Sequence, residues 1–216
     1  MIKAVIFDMD GVIVDSEIEY IRNVRKILKE HGVEVALDDL YYIGGGPFTY
    51  YCENIAKFLN ISVELAGKYY KQFIIDNPTD FKAILRPEAV ELMKYLKAQG
   101  FKIGLASSGT IKRIDLKLDI CGIRGYFDEV VSGQIFAKTK PNPEIFLYTA
   151  EKLGVSPQEC LVIEDSQMGI DGGHNAGMFV VALYDARFKF NTSNASQVVS
   201  NLCEVKGIIE KINKTA

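Results

Sequence analysis

Short apolar runs rich in β-branched residues alternate with longer amphipathic segments over most of this chain. The runs have the length and composition of buried strands and lie at 3–7, 101–107, 129–132, 160–165 and 179–183. Between them, apolar residues recur at helical spacing, and prolines and glycines stand where helices begin and end. Strands that alternate with helices indicate a parallel sheet. The sequence therefore predicts an α/β protein with a doubly wound parallel sheet, a last strand near 198–199 and a last helix from about Glu204.

The segment at 16–82 interrupts this alternation, because it contains helical patterns and no convincing strand. Its predicted helices run from Glu17 to His31, from 48 to 59 and from 62 to 75. We therefore predict a small all-helical domain, residues 16–82, inserted after the first strand of a core domain made of residues 1–15 and 83–216.

Charge and composition exclude several classes of protein. Lysine and arginine total 25 and aspartate and glutamate 28, so the net charge is −3 and binding of a nucleic-acid polymer is not expected. No apolar run reaches the roughly 18 to 20 residues of a membrane span, and the first residues do not resemble a secretory signal. The four cysteines lie far apart without a CxxC pair, which favours free thiols. We expect a cytoplasmic monomer that binds no membrane.

Three of the predicted strands end in side chains capable of chemistry. These pairs are Asp8 with Asp10, Ser107 with Ser108, and Glu164 with Asp165. Ligands of open parallel sheets bind beyond the carboxyl ends of the strands. The sequence therefore predicts that residues far apart along the chain meet in one cleft.

The motif Asp8-Met9-Asp10-Gly11 follows the first strand. Residues i and i+2 point to the same side of an extended chain, so both carboxylates can face one ligand, and Gly11 permits a sharp turn after them. Adjacent carboxylates repel each other unless a cation or a proton lies between them, which suits a magnesium ion. The alternative is a solvated loop whose acids cap a helix.

Glu164 and Asp165 end a second apolar strand. Their oxygens are hard ligands of the kind that magnesium prefers. The alternative is that Asp165 or Ser166 only caps the following helix, where a carboxylate is favourable in itself.

Two further motifs suit a phosphate group. Ser107 and Ser108 stand at a strand-to-helix junction, where hydroxyl and backbone N–H groups bind phosphate, although N-capping alone is the commoner role. Lys140 begins the sequence Lys-Pro-Asn-Pro, whose prolines stiffen the loop, and a fixed ammonium can neutralise a phosphate or crowded carboxylates. Lys138 competes for that role, and an ordinary surface lysine is the alternative for both.

Taken in this order, the segments DMDGVIVDSE, LASSGT, KTKPNPEIF and VIEDSQMGI resemble the haloacid dehalogenase (HAD) superfamily. The resemblance is strongest to its phosphatase and β-phosphoglucomutase branch, in which a helical cap is inserted after the first strand. It spans the core from residue 2 to about 183, and the insert has the cap's position and size. It implies a Rossmann-like core, Mg²⁺ as cofactor and a small phosphorylated metabolite, such as a sugar phosphate, as substrate.

The resemblance also implies the catalytic roles. Asp8 matches the nucleophile that forms an aspartyl-phosphate, and Asp10 matches the general acid and base. Ser107, with Ser108 beside it, matches the phosphate-binding hydroxyl, and Lys140 matches the lysine that steadies the phosphate and the nucleophile. The implied magnesium ligands are Asp8, the backbone carbonyl of Asp10, Asp165, and Glu164 either directly or through water.

Two departures from β-phosphoglucomutase favour hydrolysis over mutase activity. Tyr20 stands where that enzyme has a cap histidine, and the stretch at 43–48 lacks its cap arginine. A mutase must hold a bisphosphate by both phosphates, and the bidentate fork of arginine suits that task. A hexose-phosphate mutase would need a replacement such as Arg22, Arg25 or Lys57.

Two further classes of protein agree less well with the motifs. A non-catalytic binding protein on the same fold would not need all the motif residues together. A dehalogenase needs no magnesium, so it would leave Asp10 and Asp165 unexplained.

The run Gly44-Gly45-Gly46 before Pro47 lies within the predicted cap and is compatible with a specificity loop and with a flexible turn. Aromatic residues near it could line a substrate pocket, but packing between cap and core is favoured. These residues are Tyr41, Tyr42, Phe48, Tyr50 and Tyr51.

Overall fold

The chain forms two compact units in a computed structural model, which describes residues 1–46 and 48–215. The core unit comprises Met1–Val14, Phe81–Asp185 and the chain from Lys189 onward, and the cap unit comprises Asp15–Asp80 with Ala186–Phe188. The three residues 186–188 carry no sequence signal that would assign them to the cap unit, and the prediction from the sequence leaves them in the core.

A six-stranded parallel sheet forms the centre of the core unit, with the strand order β3-β2-β1-β4-β5-β6. Its strands are β1 (Ala4–Phe7), β2 (Lys102–Ser107), β3 (Glu129–Ser132), β4 (Cys160–Glu164), β5 (Phe179–Leu183) and β6 (Gln197–Val199). The order runs outward in both directions from β1, so the predicted doubly wound α/β fold is confirmed.

The described residues form eight α-helices. They are α1 (Ser16–Glu30), α2 (Phe48–Leu59), α3 (Val63–Asp76), α4 (Pro87–Ala98), α5 (Ile111–Cys121), α6 (Glu144–Leu153), α7 (Gln167–Asn175) and α8 (Glu204–Thr215). The first three belong to the cap unit, where no strand occurs within the described residues. The sequence predicts all eight, but it does not predict the short 3₁₀ turns, of which the longest is Asp38–Ile43. None of the described helices combines the length and apolarity needed to cross a bilayer.

Strand β1 shows why the sheet is covered on both faces. Its side chains alternate, so Ala4 and Ile6 pack into a cluster with α6 and α7, whereas Val5 and Phe7 pack into another with α4, α5 and α8. A continuous apolar run is therefore required, since every residue of the strand is buried.

The register of the three central strands aligns their carboxyl ends. Phe7, the last residue of β1, is paired with Leu105 of β2 and Ile163 of β4. The chain therefore leaves these strands at one edge of the sheet within two residues of each pairing, which brings the three predicted motifs to that edge.

The glycine run of the cap unit is packed against aromatic rings. A Cβ atom at Gly44 would lie 2.5 Å from the Phe188 ring, and one at Gly46 would lie 2.5 Å from Tyr50. The N–H of Gly45 donates a hydrogen bond of 2.6 Å to Glu17. Close packing thus accounts for Gly44 and Gly46, whereas Gly45 has a φ of +71°, a conformation that favours glycine. Pro47 lies outside the described residues.

The aromatic residues near this run mostly pack within the cap unit. Tyr51 is buried in its hydrophobic cluster, and Tyr41 and Tyr50 lie partly buried against it. Tyr42 and Phe48 are exposed.

Candidate active site

Asp8 and Asp10 lie on a tight turn that directly follows β1. The N–H of Asp8 donates to the carbonyl of Ile163 at 3.0 Å, which continues the sheet pairing by one residue. The turn closes where the N–H of Gly11 donates to the carbonyl of Val14 at 2.7 Å. Gly11 has a φ of +82°, a conformation that favours glycine. The backbone that carries both acids is therefore fixed at the edge of the sheet.

Lys140 joins three elements at that edge. Its Nζ lies 2.5 Å from Oδ1 of Asp8 and 2.7 Å from Oε1 of Glu164, and it donates to the carbonyl of Ala106 at 3.0 Å. The side chain is buried, whereas Lys138 is exposed. The structure therefore brings Lys140, and not Lys138, to the first aspartate of the DxD motif.

Glu164 is held at the N-terminus of α7. Its Oε2 accepts hydrogen bonds from the N–H of Asp165, the N–H of Ser166 and the Ser166 hydroxyl, at 3.0, 3.1 and 2.9 Å. A Cβ atom at residue 169 would lie 1.7 Å from the Glu164 carboxylate, so the position requires glycine. Both carboxylate oxygens of Glu164 thus have protein donors: Lys140 on one and the start of the helix on the other.

Asp165 lies over the turn that follows Asp10. A Cβ atom built on Gly11 would stand only 1.7 Å from Oδ2 of Asp165. Asp165 does not cap α7, because Ser166 is the N-cap and accepts a hydrogen bond from the N–H of Gly169 at 3.1 Å. Of the two residues considered as caps of this helix, Ser166 therefore has that role and Asp165 does not.

Ser107 ends β2 with its side chain buried, and Ser108 beside it is exposed. The Ser107 hydroxyl oxygen accepts a hydrogen bond of 3.2 Å from the N–H of Gly109. The N-cap of α5 is Thr110, which accepts from the N–H of Arg113 at 3.2 Å. Helix capping is therefore the role of Thr110, and neither serine performs it.

Lys117 on α5 also belongs to this group of charged side chains at the edge of the sheet, although it lies outside the sequence motifs. Its Nζ lies 2.5 Å from Oδ1 of Asp10, and its side chain is 5% exposed. A signal for it exists in the sequence, because Ile114, Leu118 and Cys121 form the buried face of α5 and Lys117 lies on that same face. A lysine on an apolar stripe needs a partner.

Burial and neighbouring charges shift the ionisation of the central pair. Burial raises the pKa of Asp8 to about 7, and the carboxylates of Glu164 and Asp10 act in the same direction against Lys140. Burial alone would lower the pKa of Lys140, but Asp8 and Glu164 raise it above its ordinary value. Lys140 is therefore a permanent cation, and Asp8 is a carboxylate whose negative charge is disfavoured by its surroundings.

The donor set at this edge fits a magnesium ion. Four acidic side chains lie with two ammonium groups at this edge, so acids outnumber cations in the set Asp8, Asp10, Glu164, Asp165, Lys117 and Lys140. Within residues 1–46 and 48–215, no group of three or more His, Cys, Asp or Glu side chains is arranged so that it could hold a metal ion. Mg²⁺ is usually held by one or two carboxylates with waters and substrate oxygens, so Asp8 and Asp165 suffice in number and in chemistry.

Comparison with known proteins assigns the family. Residues 2–177 match the model of haloacid dehalogenase-like hydrolases. The chain therefore belongs to the haloacid dehalogenase-like hydrolase family, and the prediction made from its four motifs is confirmed.

Individual relatives show which members of the family the chain is similar to. A phosphoglycolate phosphatase of Aquifex aeolicus is 34% identical over 179 residues, which cover 81% of each chain. A phosphorylated carbohydrates phosphatase of Thermotoga maritima is 30% identical over 178 residues, which cover 82% of each chain. The crystal structure of a β-phosphoglucomutase from Clostridium difficile is 29% identical, with a TM-score of 0.74 over 100% of this chain and 99% of that one. The expected similarity to the phosphatase and β-phosphoglucomutase branch is thus confirmed.

Proposed function

We propose that this enzyme hydrolyses phosphate monoesters of small metabolites, with sugar phosphates as the substrate class, through an aspartyl-phosphate on Asp8. The observation that carries the proposal is the buried bridge of Lys140 between Asp8 and Glu164 at the ends of the strands. A buried carboxylate attached to a fixed cation is suited to approach a phosphate dianion, because the cation offsets the repulsion between the two anions.

In the first step, a carboxylate oxygen of Asp8 attacks phosphorus and the bond to the leaving oxygen breaks. The electron pair of that bond goes to the leaving oxygen, which takes a proton from the Asp10 carboxyl group. The products are an aspartyl-phosphate and the free alcohol. Ser107, at the end of β2 near the Lys140 contact with Ala106, contributes a hydroxyl group to the phosphate oxygens.

In the second step, the Asp10 carboxylate removes a proton from water as the water oxygen attacks phosphorus. The bond between phosphorus and Asp8 breaks, its electron pair returns to the Asp8 carboxylate, and inorganic phosphate is released. Asp10 thereby regains the proton it lost, so both aspartates finish the cycle as they began it.

Magnesium is part of this proposal, with Asp8, Asp165 and the backbone carbonyl of Asp10 as its ligands. When bound, the ion supplies positive charge that lowers the repulsion between carboxylate and phosphate and stabilises the charge in transfer. For Glu164 the contacts favour a role in holding Lys140, or a water-mediated one, because both its oxygens already accept hydrogen bonds from the protein.

Hydrolysis is favoured over a hexose-phosphate mutase, which remains the second candidate because of the similarity to β-phosphoglucomutase. Two of the three residues that could replace the missing arginine are engaged within the cap unit. Arg22 pairs with Glu19, and Arg25 donates to the carbonyl of Val35 at 3.0 Å. Lys57, the third, is exposed and lacks the bidentate fork of arginine.

The name of the Thermotoga maritima relative supports the choice of sugar phosphates as the substrate class. The test is a phosphate-release screen over sugar phosphates, polyol phosphates and nucleotides, with and without magnesium. A parallel assay for isomerised sugar phosphate separates phosphatase from mutase. Magnesium-dependent release that disappears in Asp8→Asn supports the proposal, whereas isomerised product without phosphate release contradicts it.

A further inference from the structure

Two lysines are buried in the part of the chain that the structure describes, Lys140 and Lys117. The four motifs account for Lys140. Lys117 belongs to none of them, yet its ammonium forms an ion pair with Asp10.

Packing alone does not explain a charged side chain at the position of Lys117. It lies on the apolar face of α5 between Ile114 and Leu118, where an apolar side chain would fill the same space. Its Nζ lies 5.3 Å from the centre of the Phe81 ring, so the ammonium is enclosed on one side by an aromatic face. Burying an ammonium group is unfavourable unless a partner compensates, and replacing a buried ion pair by apolar side chains is often neutral or stabilising. A stability role alone therefore does not explain a charge here.

The ion pair with Lys117 acts on the side chain of Asp10, whereas other contacts hold its backbone. The Asp10 backbone is bridged to Val14, and the carbonyl of Gly11 next to it accepts a hydrogen bond of 3.0 Å from Nε of Arg86. The 2.5 Å contact between Lys117 Nζ and Asp10 Oδ1 acts on the side chain, because it holds one oxygen of the carboxyl group.

We propose that Lys117 is a positioning residue that orients the Asp10 carboxyl group for proton transfer to the leaving oxygen and from water. The inference rests on the proposed function, in which Asp10 is the acid and base. Misalignment by a fraction of an ångström is costly for such transfers, because the proton must move between atoms within hydrogen-bond distance.

The experiment compares Lys117→Met, which keeps the unbranched shape and most of the length of the side chain and removes its charge, with wild type on two substrates. A sugar phosphate has a poor leaving group that needs the Asp10 proton, whereas nitrophenyl phosphate has a good one that needs it little. The kcat on the sugar phosphate should fall at least about tenfold more than the kcat on nitrophenyl phosphate, a difference of about 1.4 kcal/mol in barrier. KM should change little, and phosphorylated enzyme should accumulate with nitrophenyl phosphate because the second step slows.

Two further variants separate positioning from structure. Lys117→Arg keeps the cation and should recover most of the lost activity on the sugar phosphate, whereas Lys112→Met, at an exposed position of the same helix, should behave as wild type. If Lys117→Met does not fold, Lys117→Gln takes its place, since it keeps a hydrogen-bond donor without the charge.

Equal losses on both substrates, without accumulation of phosphorylated enzyme, would overturn the inference and leave Lys117 a structural residue. The activity of wild type and of Asp8→Asn shows separately whether the proposed function holds. If wild type releases phosphate and Asp8→Asn does not, the result for Lys117 bears on Lys117 alone.

Discussion

The carboxylate of Asp165 occupies the space in which a Cβ atom of residue 11 would stand, with Oδ2 only 1.7 Å from that position. The glycine of the DxDG motif is therefore required twice, once by its φ of +82° and once by the acid from the next strand. This contact brings Asp165 against the turn that carries Asp8 and Asp10, which is where the proposed magnesium ion needs it.

Replacing this glycine should separate the effects of space and backbone conformation. Gly11→Ala should raise the half-saturating magnesium concentration at least about tenfold, because Asp165 must move away, a cost of roughly 1.4 kcal/mol or more in binding. Gly122→Ala is the matched control, since Gly122 has a φ of +67° and nothing within 4 Å of its added Cβ. The control should lose about 1 kcal/mol of stability and keep its magnesium dependence. Equal magnesium dependence in both variants would contradict the assigned role of the contact.

Asp165 itself should affect metal binding more than folding. Asp165→Ala removes one acid from a set in which acids outnumber cations, so its unfolding temperature without metal should change little or rise slightly. Its half-saturating magnesium concentration should increase by at least an order of magnitude, as measured by titrating activity and by isothermal calorimetry of Mg²⁺ binding without substrate. An unchanged magnesium affinity would remove Asp165 from the metal site.

Replacing Glu164 should affect catalysis and folding more than magnesium binding. Glu164→Gln keeps the shape of the side chain but weakens its bond to Lys140, so kcat should fall while the half-saturating magnesium concentration changes much less than in Asp165→Ala. The free energy of unfolding should drop by about 1–3 kcal/mol, because a buried charged hydrogen bond is lost. Glu91→Gln on the exposed face of α4 should change it by less than about 0.5 kcal/mol. A loss of magnesium affinity as large as that of Asp165→Ala would instead identify Glu164 as a direct ligand.

The pair of Asp128 with Lys97 gives a prediction about pH and stability. Burial alone would raise the pKa of Asp128, but hydrogen bonds from Lys97 Nζ at 2.6 Å and from the N–H of Ile103 at 2.7 Å lower it below its ordinary value. A carboxylate with a lowered pKa in the folded state stabilises the fold above the unfolded value of 3.8, and this contribution is lost as the pH falls through the folded value.

Asp128→Asn should therefore be less stable than wild type at neutral pH, by at most about 1 kcal/mol because the pair is partly exposed and screened by solvent. Urea unfolding measured from neutral pH downward should show this difference shrinking below pH 3.8. A difference that stays constant across this range would mean that the carboxylate charge contributes nothing.

Much of the fold was accessible from the sequence because its signals are local. The strand β1 and the turn at Gly11 follow from a continuous apolar run and from one residue that tolerates a positive φ. The convergence of Asp8 with Asp165 follows from a general property of parallel sheets, whose strands end at a common edge. Such arguments need no side-chain coordinates.

The remaining features depend on contacts between distant segments. The prolines that follow Lys140 favour it over Lys138, but only the contacts with Asp8 and Glu164 show that Lys140 is the buried one. The packing of Phe188 against Gly44 likewise joins positions 144 residues apart. No periodicity in either segment indicates this contact. Lys117 is intermediate, because the helical spacing marks it as buried but does not name Asp10 as its partner.

The central claim is that Asp8 carries the phosphoryl group, and it is tested most directly in a variant whose second step is blocked. Asp10→Asn keeps the backbone carbonyl but cannot accept a proton from water, so with nitrophenyl phosphate the first step should outrun the second. Intact-protein mass spectrometry after an acid quench should show the mass of one added phosphoryl group, and peptide mapping should assign it to Asp8. The double variant Asp8→Asn with Asp10→Asn should show no added mass. Turnover without any phosphorylated enzyme in Asp10→Asn, or the same added mass in the double variant, would contradict the account.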